Sequence, residues 1–278
     1  MKFYIFGAQG QVGSTLSKKL PFAFCYTQRT ENISEVSKFL LGASEDDVIF
    51  IASSLTAVDL CERDPYASYI SNVLSVKHIV DEAKKYDATV VFYSSDYVFD
   101  GIRGRNSIED IVMPINTYGL HKVYAENYIM QHMKKYHIIR TNMVYGQDPN
   151  NKNYLSRILS MVEKNEIIEA PQDEWVTPTY NVNLVKVTLE LVKQREYGVF
   201  HVAGSNKITR YDFTCHVLEF IGKSSCLTKP VPSLKLGRAA RRPLNGGLTT
   251  THSTGDLAHS LTDIFVNDLL LTAKVNVK

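Results

Sequence analysis

The sequence of 278 residues is poor in cysteine, has no strong excess of charge of either sign, and contains no long apolar run. Each shortage excludes something. The four cysteines, Cys25, Cys61, Cys215 and Cys226, are scattered, without a Cys-x-x-Cys pair or a Cys/His spacing suited to a metal. Neither a disulfide framework nor a metal site is therefore expected, and reduced thiols of this kind fit a cytoplasmic protein. A formal net charge of +2, with acids and bases interspersed, supplies no basic stripe, so no nucleic-acid partner is expected. No segment approaches the roughly 20 apolar residues of a membrane span, and the opening "MKFYIFGAQG" is too short in its apolar run for a secretory signal. A soluble, untargeted chain with no membrane partner is the expectation. No repeat, low-complexity tract or linker stands out.

What is there is an ordinary globular composition, 44% hydrophobic and 22% charged, able to bury one large core or one core with a smaller lobe attached. Short apolar runs, "KFYIF", "FAFCY", "DVIFIA", "ATVVFYS" and "HIIRT", read as buried strands, with amphipathic helical stretches over 66–85 and 119–135 between them. This is the βαβ rhythm of a Rossmann-type, doubly wound parallel sheet in the α/β class. Pro65 after Asp64 is suited to a first helical position. Past residue 147 the rhythm loosens, through the turn-rich "GQDPNNKN", two helical patterns, the strand-like "GVFHVAG" and another helix. The division predicted is residues 1–147 with 178–203 as the cofactor domain, and 148–177 with 204–278 as a smaller substrate lobe.

In "FGAQGQVGSTL", Gly7, Gly10 and Gly13 follow the first strand and open a helix. Glycines there let the backbone turn tightly and approach a pyrophosphate held on exposed helix-end N–H groups, with Gln11 and Val12 between them. The second strand ends at "CYTQRTEN" without the acid that an NAD site uses for the ribose hydroxyls. Arg29 could instead meet a 2′-phosphate, which favours NADPH while leaving NADH open.

"NTYGLHKVYAEN" places Tyr118 and Lys122 four apart at the start of a helix capped by Asn116 and Thr117, on one face. A Lys–Tyr pair of this spacing is also common on helix surfaces. "YSSDYVFDG" puts Ser95 at the carboxyl end of the fourth strand, about two dozen residues earlier. Taken together, Ser95, Tyr118 and Lys122 resemble the Ser/Thr–Tyr–Lys triad of extended short-chain dehydrogenases/reductases. The glycine spacing, "TAVDLCERDP", "DYVFDG", "RTNMVYG", "TPTY" and "ARRPLN", in this order, resemble the dTDP-4-dehydrorhamnose reductase family over nearly the whole chain.

The resemblance implies NADPH-dependent reduction of a nucleotide-linked 4-keto-6-deoxy sugar, with Tyr118 as acid, Ser95 donating to the substrate oxygen and Lys122 also holding the nicotinamide ribose. An ammonium about 4 Å from a phenol is worth roughly 4 kcal/mol at an effective dielectric near 20, so Lys122 is expected to depress the Tyr118 pKa. The resemblance further implies that Ala52, Ser53 and Thr56 meet the cofactor, and that Asp96, Tyr97 and Met143 touch the sugar. Arg242 is a candidate for the nucleotide diphosphate. His121, Asp59 and Glu62 read as helix-surface residues. A homodimer is compatible with the family. A non-catalytic reading stays open, because a regulatory β subunit of methionine adenosyltransferase shares the fold, the cofactor and much of the motif set. A sugar epimerase or dehydratase fits less well, since Asp96-Tyr97 lacks the Glu that dehydratases place beside the catalytic Ser/Thr.

Overall fold

A computed structural model describes residues 1–27 and 33–267, so Arg29 lies outside the described residues. The five apolar runs form strands β1 (Phe3–Phe6), β2 (Phe24–Tyr26), β3 (Val48–Ile51), β4 (Thr89–Ser95) and β5 (Tyr136–Thr141). With Gly198–Ala203 and His252–Ser253 they make a seven-stranded sheet, ordered His252–Ser253, Gly198–Ala203, β5, β4, β3, β1, β2. Every neighbouring pair is parallel. A parallel sheet covered on both faces needs apolar side chains at successive positions rather than alternate ones. β3 is accordingly buried throughout, and β4 throughout except at Ser95.

Helices α1 (Gln11–Lys19), α2 (Ile33–Leu40), α3 (Val58–Arg63), α4 (Pro65–Tyr69), α5 (Ser75–Lys85) and α6 (Thr117–His132) follow in turn. Tyr4 and Phe6 point to one side of the sheet and pack in a core with Leu40 of α2, Ile79 of α5 and Ala125 of α6. Ile5, between them, points to the other side and packs with Leu16 of α1 and Leu184 of the helix Asn181–Gln194. The period-2 geometry of a strand thus gives the doubly wound arrangement directly. A further core gathers Leu155 and Ile158, Phe213 and Val217, and Leu257 and Leu261, from the helices Tyr154–Glu163, Arg210–Phe220 and Leu257–Thr262.

Three expectations need correction. β2 is not a buried strand: as the sheet edge it has a neighbour on one side only, and Phe24 is 49% exposed. The single helix expected over 66–85 is interrupted by a π-helical turn, Ile70–Leu74, between α4 and α5. Asn72 in that turn is buried, and its Oδ1 accepts from Leu55 N at 2.7 Å and Ser54 Oγ at 3.0 Å. The extra residue per turn accompanies this tie to the loop after β3. Finally, His252–Ser253, without an apolar run of its own, pairs with Val202 and Ala203 and completes the sheet. The start of α4 is as expected, with Asp64 accepting from Ala67 N at 2.9 Å and Pro65 at the first position. Among the described residues no helix is long and apolar enough to cross a membrane.

Candidate active site

From β1 the chain goes to β2 on one side and, later, to β3 on the other. At such a reversal the two connections leave the strand ends in opposite directions and open a crevice at the carboxyl edge of the sheet. Gly7 lies there with φ +83°, and a Cβ on it would come within 2.5 Å of Ser53 N. A Cβ on Gly13 would overlap the Gly7 carbonyl oxygen. The two glycines let the turn after β1 close onto α1 and onto the loop after β3. Gly10 caps α1 without a side-chain hydrogen bond, no acid stands in the first turn, and the buried Gln11 Nε2 has no partner among the described residues. A bare helix N-terminus beside a tight turn fits a dinucleotide pyrophosphate. Gly10, Gln11 and Val12 face a cleft of about 430 Å³ from this side, and Ala52, Ser53 and Thr56 face it from β3.

The opposite wall comes from β4 and α6. Asn116 caps α6, accepting from Gly119 N at 2.9 Å, while its amide donates to Arg241 O at 2.9 Å. Tyr118 and Lys122 follow on one face, buried at 8% and 3% exposure, and line the cleft with Ser95, Asp96 and Tyr97. A surface Lys–Tyr pair is excluded by that burial. Ser95 donates to Asp96 Oδ1 and accepts from Tyr97 N, each at 3.2 Å, and is also a hydrogen-bonding neighbour of the Tyr118 phenol. The Tyr97 and Tyr118 rings meet edge to face at 5.9 Å.

The electrostatics differ from expectation. Burial, followed by the charges of Cys61, Tyr97 and Asp96, pushes the Tyr118 phenol up, and the Ser95 hydrogen bond opposes this. Lys122 does not depress it here, because the ammonium turns away to donate to Tyr93 O at 2.8 Å and lies 5.7 Å from the Tyr118 ring centroid. Lys122 itself is lowered to about 8 by burial, with Glu126 and Cys61 opposing. Asp96 is raised by burial against the pull of Asn142, Gly247 N, Ser95 and Arg210.

Met143 lines the cleft, as expected from its place after β5, and holds a left-handed backbone with φ +34°. Such a backbone is uncommon for a side chain of this size and is concentrated at functional turns. Arg242 is not on the cleft wall: its Nη2 pairs with Asp59 Oδ2 at 2.9 Å, and Ala240 N donates to Asp59 Oδ1 at 3.0 Å. Asp59 is therefore no free surface acid. Nor is Glu62, which accepts from Thr117 N at 2.9 Å at the start of α6. His121 is buried as well, its Nδ1 sharing a 2.8 Å hydrogen bond with Ser68 Oγ.

Sequence reasoning missed Asn142, Arg210 and the segment around Asp148–Asn153, which also line the cleft. Asn142 donates to Asp96 Oδ2 and accepts from Thr177 N at 2.8 Å, fixing the carboxylate that follows Ser95. Arg210 pairs with buried Glu174 at 3.0 Å and stacks on Tyr154 at 5.0 Å. It was findable: a cation at the first position of the helix Arg210–Phe220 opposes the helix dipole, so something other than helix stability holds it there.

The arrangement can seat an anionic dinucleotide at the glycine turn and bring a carbonyl compound against a hydroxyl and a phenol. Comparison with known proteins agrees. The dTDP-4-dehydrorhamnose reductase of Escherichia coli (strain K12) is 29% identical over 287 residues, spanning 95% of this chain and 94% of that protein. The crystal structure of a dTDP-4-dehydrorhamnose reductase from Clostridium acetobutylicum superposes with a TM-score of 0.88 at 27% identity, covering 98% of this chain and 100% of that one. The Bacillus anthracis dTDP-4-dehydrorhamnose reductase, solved in complex with NADP, has the same fold, with a TM-score of 0.89 at 24% identity over 96% of this chain and 100% of that one. The family model described as the RmlD substrate binding domain matches residues 1–263, and the chain belongs to that family.

Proposed function

We propose that this chain uses NADPH to reduce a nucleotide-linked 4-keto-6-deoxy sugar, with dTDP-4-dehydro-L-rhamnose as substrate and dTDP-L-rhamnose as product. The observation that carries the reading is the convergence of Ser95, Tyr118 and Lys122 on one wall of a cleft whose other wall is the glycine turn. The family and its reductase members support the substrate class, and the NADP complex of one relative supports the cofactor.

NADPH, when bound, supplies the hydride. Everything else falls to the chain. Burial keeps the Tyr118 phenol protonated at neutral pH, as a proton donor to the carbonyl oxygen must be at rest. Ser95 donates a hydrogen bond to the same oxygen as negative charge develops there. Once Tyr118 has given up its proton, the Ser95 hydroxyl stabilises the phenolate, and Lys122 holds the cofactor ribose. Asp96, Tyr97 and Met143 line the sugar side. We assign the diphosphate to Arg210, which lines the cleft, rather than to Arg242, which does not. In the same reading, residues 1–147 with 178–203 serve the cofactor, their sheet completed by His252–Ser253, and 148–177 with the rest of 204–278 serve the sugar nucleotide.

The test follows absorbance of the reduced nicotinamide when purified protein meets NADPH and dTDP-4-dehydro-L-rhamnose. The wild type should consume the cofactor and form dTDP-L-rhamnose. Tyr118→Phe keeps the ring but removes the acid, and kcat should fall about 10²–10⁴-fold. A fully active Tyr118→Phe would refute the mechanism. A wild type that binds NADPH without turnover would favour a regulatory subunit, and a pull-down against a methionine adenosyltransferase catalytic subunit would then decide.

A further inference from the structure

One buried charged group is not itself on the cleft wall, yet it meets every element that builds the proposed catalytic wall. Glu126 lies one turn beyond Lys122 on α6, at 1% exposure. Its Oε1 accepts from Ser94 Oγ at 2.5 Å and from Arg140 Nε at 3.0 Å, and its Oε2 accepts from Arg140 Nη2 at 2.7 Å. Ser94 immediately precedes Ser95 at the end of β4. Arg140 precedes Thr141 and Asn142 at the end of β5, and both of these line the cleft. One carboxylate therefore ties the helix bearing Tyr118 and Lys122 to the two strand ends bearing Ser95 and Asn142.

A buried ion pair with a neutral hydroxyl added is commonly only structural, and replacing such a pair by apolar groups is often neutral for stability. The position of this one gives it a second consequence. Lys122 is faced by Tyr118 and Glu126 from α6, by Cys61 from α3, and by the Tyr93 carbonyl and Phe92 ring from β4. Of these, Glu126 is the carboxylate. Arg140 neutralises Glu126 from the far side, but Lys122 is an ammonium in a dry site and still gains from the negative charge one turn away.

We propose that Glu126 is a positioning residue of the candidate site, which fixes the ends of β4 and β5 against α6 and keeps Lys122 in its ammonium form. The inference rests on the proposed role of Lys122 but is testable without turnover. Lysine labelled with ¹³C at Cε reports the ammonium directly, and the Lys122 resonance is identified by its loss in Lys122→Met. In the wild type its titration midpoint should lie near 8. The double variant Glu126→Gln/Arg140→Met removes both charges at similar volume and should fold. Its Lys122 midpoint should fall by about half to one pH unit: at an effective dielectric near 20, loss of the Glu126 anion about 6 Å away lowers it by about two units, and loss of the Arg140 cation about 10 Å away gives back about one. Glu126→Asp keeps the charge and shortens the reach, so it should hold the midpoint within half of that fall. Its kcat should drop about tenfold while the KM for NADPH changes less than twofold, the mark of displaced strand ends. A double variant with the wild-type midpoint would overturn the proposal and leave Glu126 as a partner for Arg140 only. So would a Glu126→Asp midpoint as low as that of the double variant. A wild type with the expected midpoints but no turnover would refute the reductase reading and leave the inference about Glu126 standing.

Discussion

Lys122 has a stability cost that its proposed role requires. Its ordinary pKa is 10.5 and burial brings it to about 8 in the folded chain, so between these values the unfolded chain binds more protons than the folded one. Stability therefore rises with pH across that window, and below it the folded state bears the whole cost of a buried ammonium, about 3 kcal/mol. Lys122→Met should consequently make the cofactor-free protein more stable at pH 7, by about 1–3 kcal/mol, once the lost bond to Tyr93 O is allowed for. The gain should shrink as pH rises from about 8 towards 10.5, and NADPH binding should weaken sharply. Urea unfolding of both proteins at pH 7 and pH 9.5 measures this, and equal stabilities at both values would contradict it. The same side chain illustrates what spacing alone could not reveal. A four-residue interval puts Lys122 beside Tyr118, but which carbonyl captures the ammonium depends on β4, more than two dozen residues earlier in the chain.

At the scale of elements, α6 decides the geometry of the site, because its first turn carries Tyr118. Asn116 closes that turn and also reaches Arg241 O, so it secures the helix start against the segment that ends in Asp59-bound Arg242. Loss of a cap of this kind costs about 1 kcal/mol, and loss of the bond to Arg241 O adds to it. Asn116→Ala should therefore lower stability by about 1–2 kcal/mol in thermal unfolding. It should lower kcat more than it raises the KM for NADPH, because Tyr118 lies two residues from the cap while the glycine turn lies across the cleft. Asn116→Asp retains the acceptor for Gly119 N and should recover most of the stability but lose the bond to Arg241 O. The cap was legible in the sequence, since "NTYG" carries a capping residue ahead of a helical pattern. The π-helical turn Ile70–Leu74 was not: "ISNVL" is a passable helical sequence, and the interruption goes with the tie between buried Asn72 and the loop after β3.

For the molecule as a whole, the sheet buries two imidazoles, and they set its response to acid. His137 on β5 and His201 on the neighbouring strand are both fully buried and held near 4, first by burial and, for His201, next by the charge of Arg140. Their unfolded value is about 6.5, so between pH 6.5 and 4 the unfolded chain takes up protons that the folded chain excludes. The stability they contribute is present above pH 6.5 and is lost as pH falls towards 4, by up to about 3 kcal/mol for each. Unfolding midpoints in urea should fall steeply between pH 6.5 and 4.5. His137→Leu, which keeps an apolar group between the Tyr197 and Phe200 rings, should flatten the profile by about half. A wild-type profile that is flat over this range would refute the account.

The sequence by itself determined the α/β class, because parallel strands buried on both faces are written mostly as continuous apolar runs, and β1, β3 and the first part of β4 are. It also determined the glycine turn and the Tyr118–Lys122 pair, since backbone clearance and helical spacing are properties of neighbours in the chain. Tertiary structure alone decided which charges are free and which are already held. Asp59, Glu62 and His121 read as surface groups by their place on helices, yet each is tied to a residue more than fifty positions away. Arg210 and Asn142 reach the cleft through pairings with Glu174 and Asp96 that no local pattern records. A hydrogen bond across the fold depends on where two distant elements come to rest, and burial changes a group's charge only after that packing is complete.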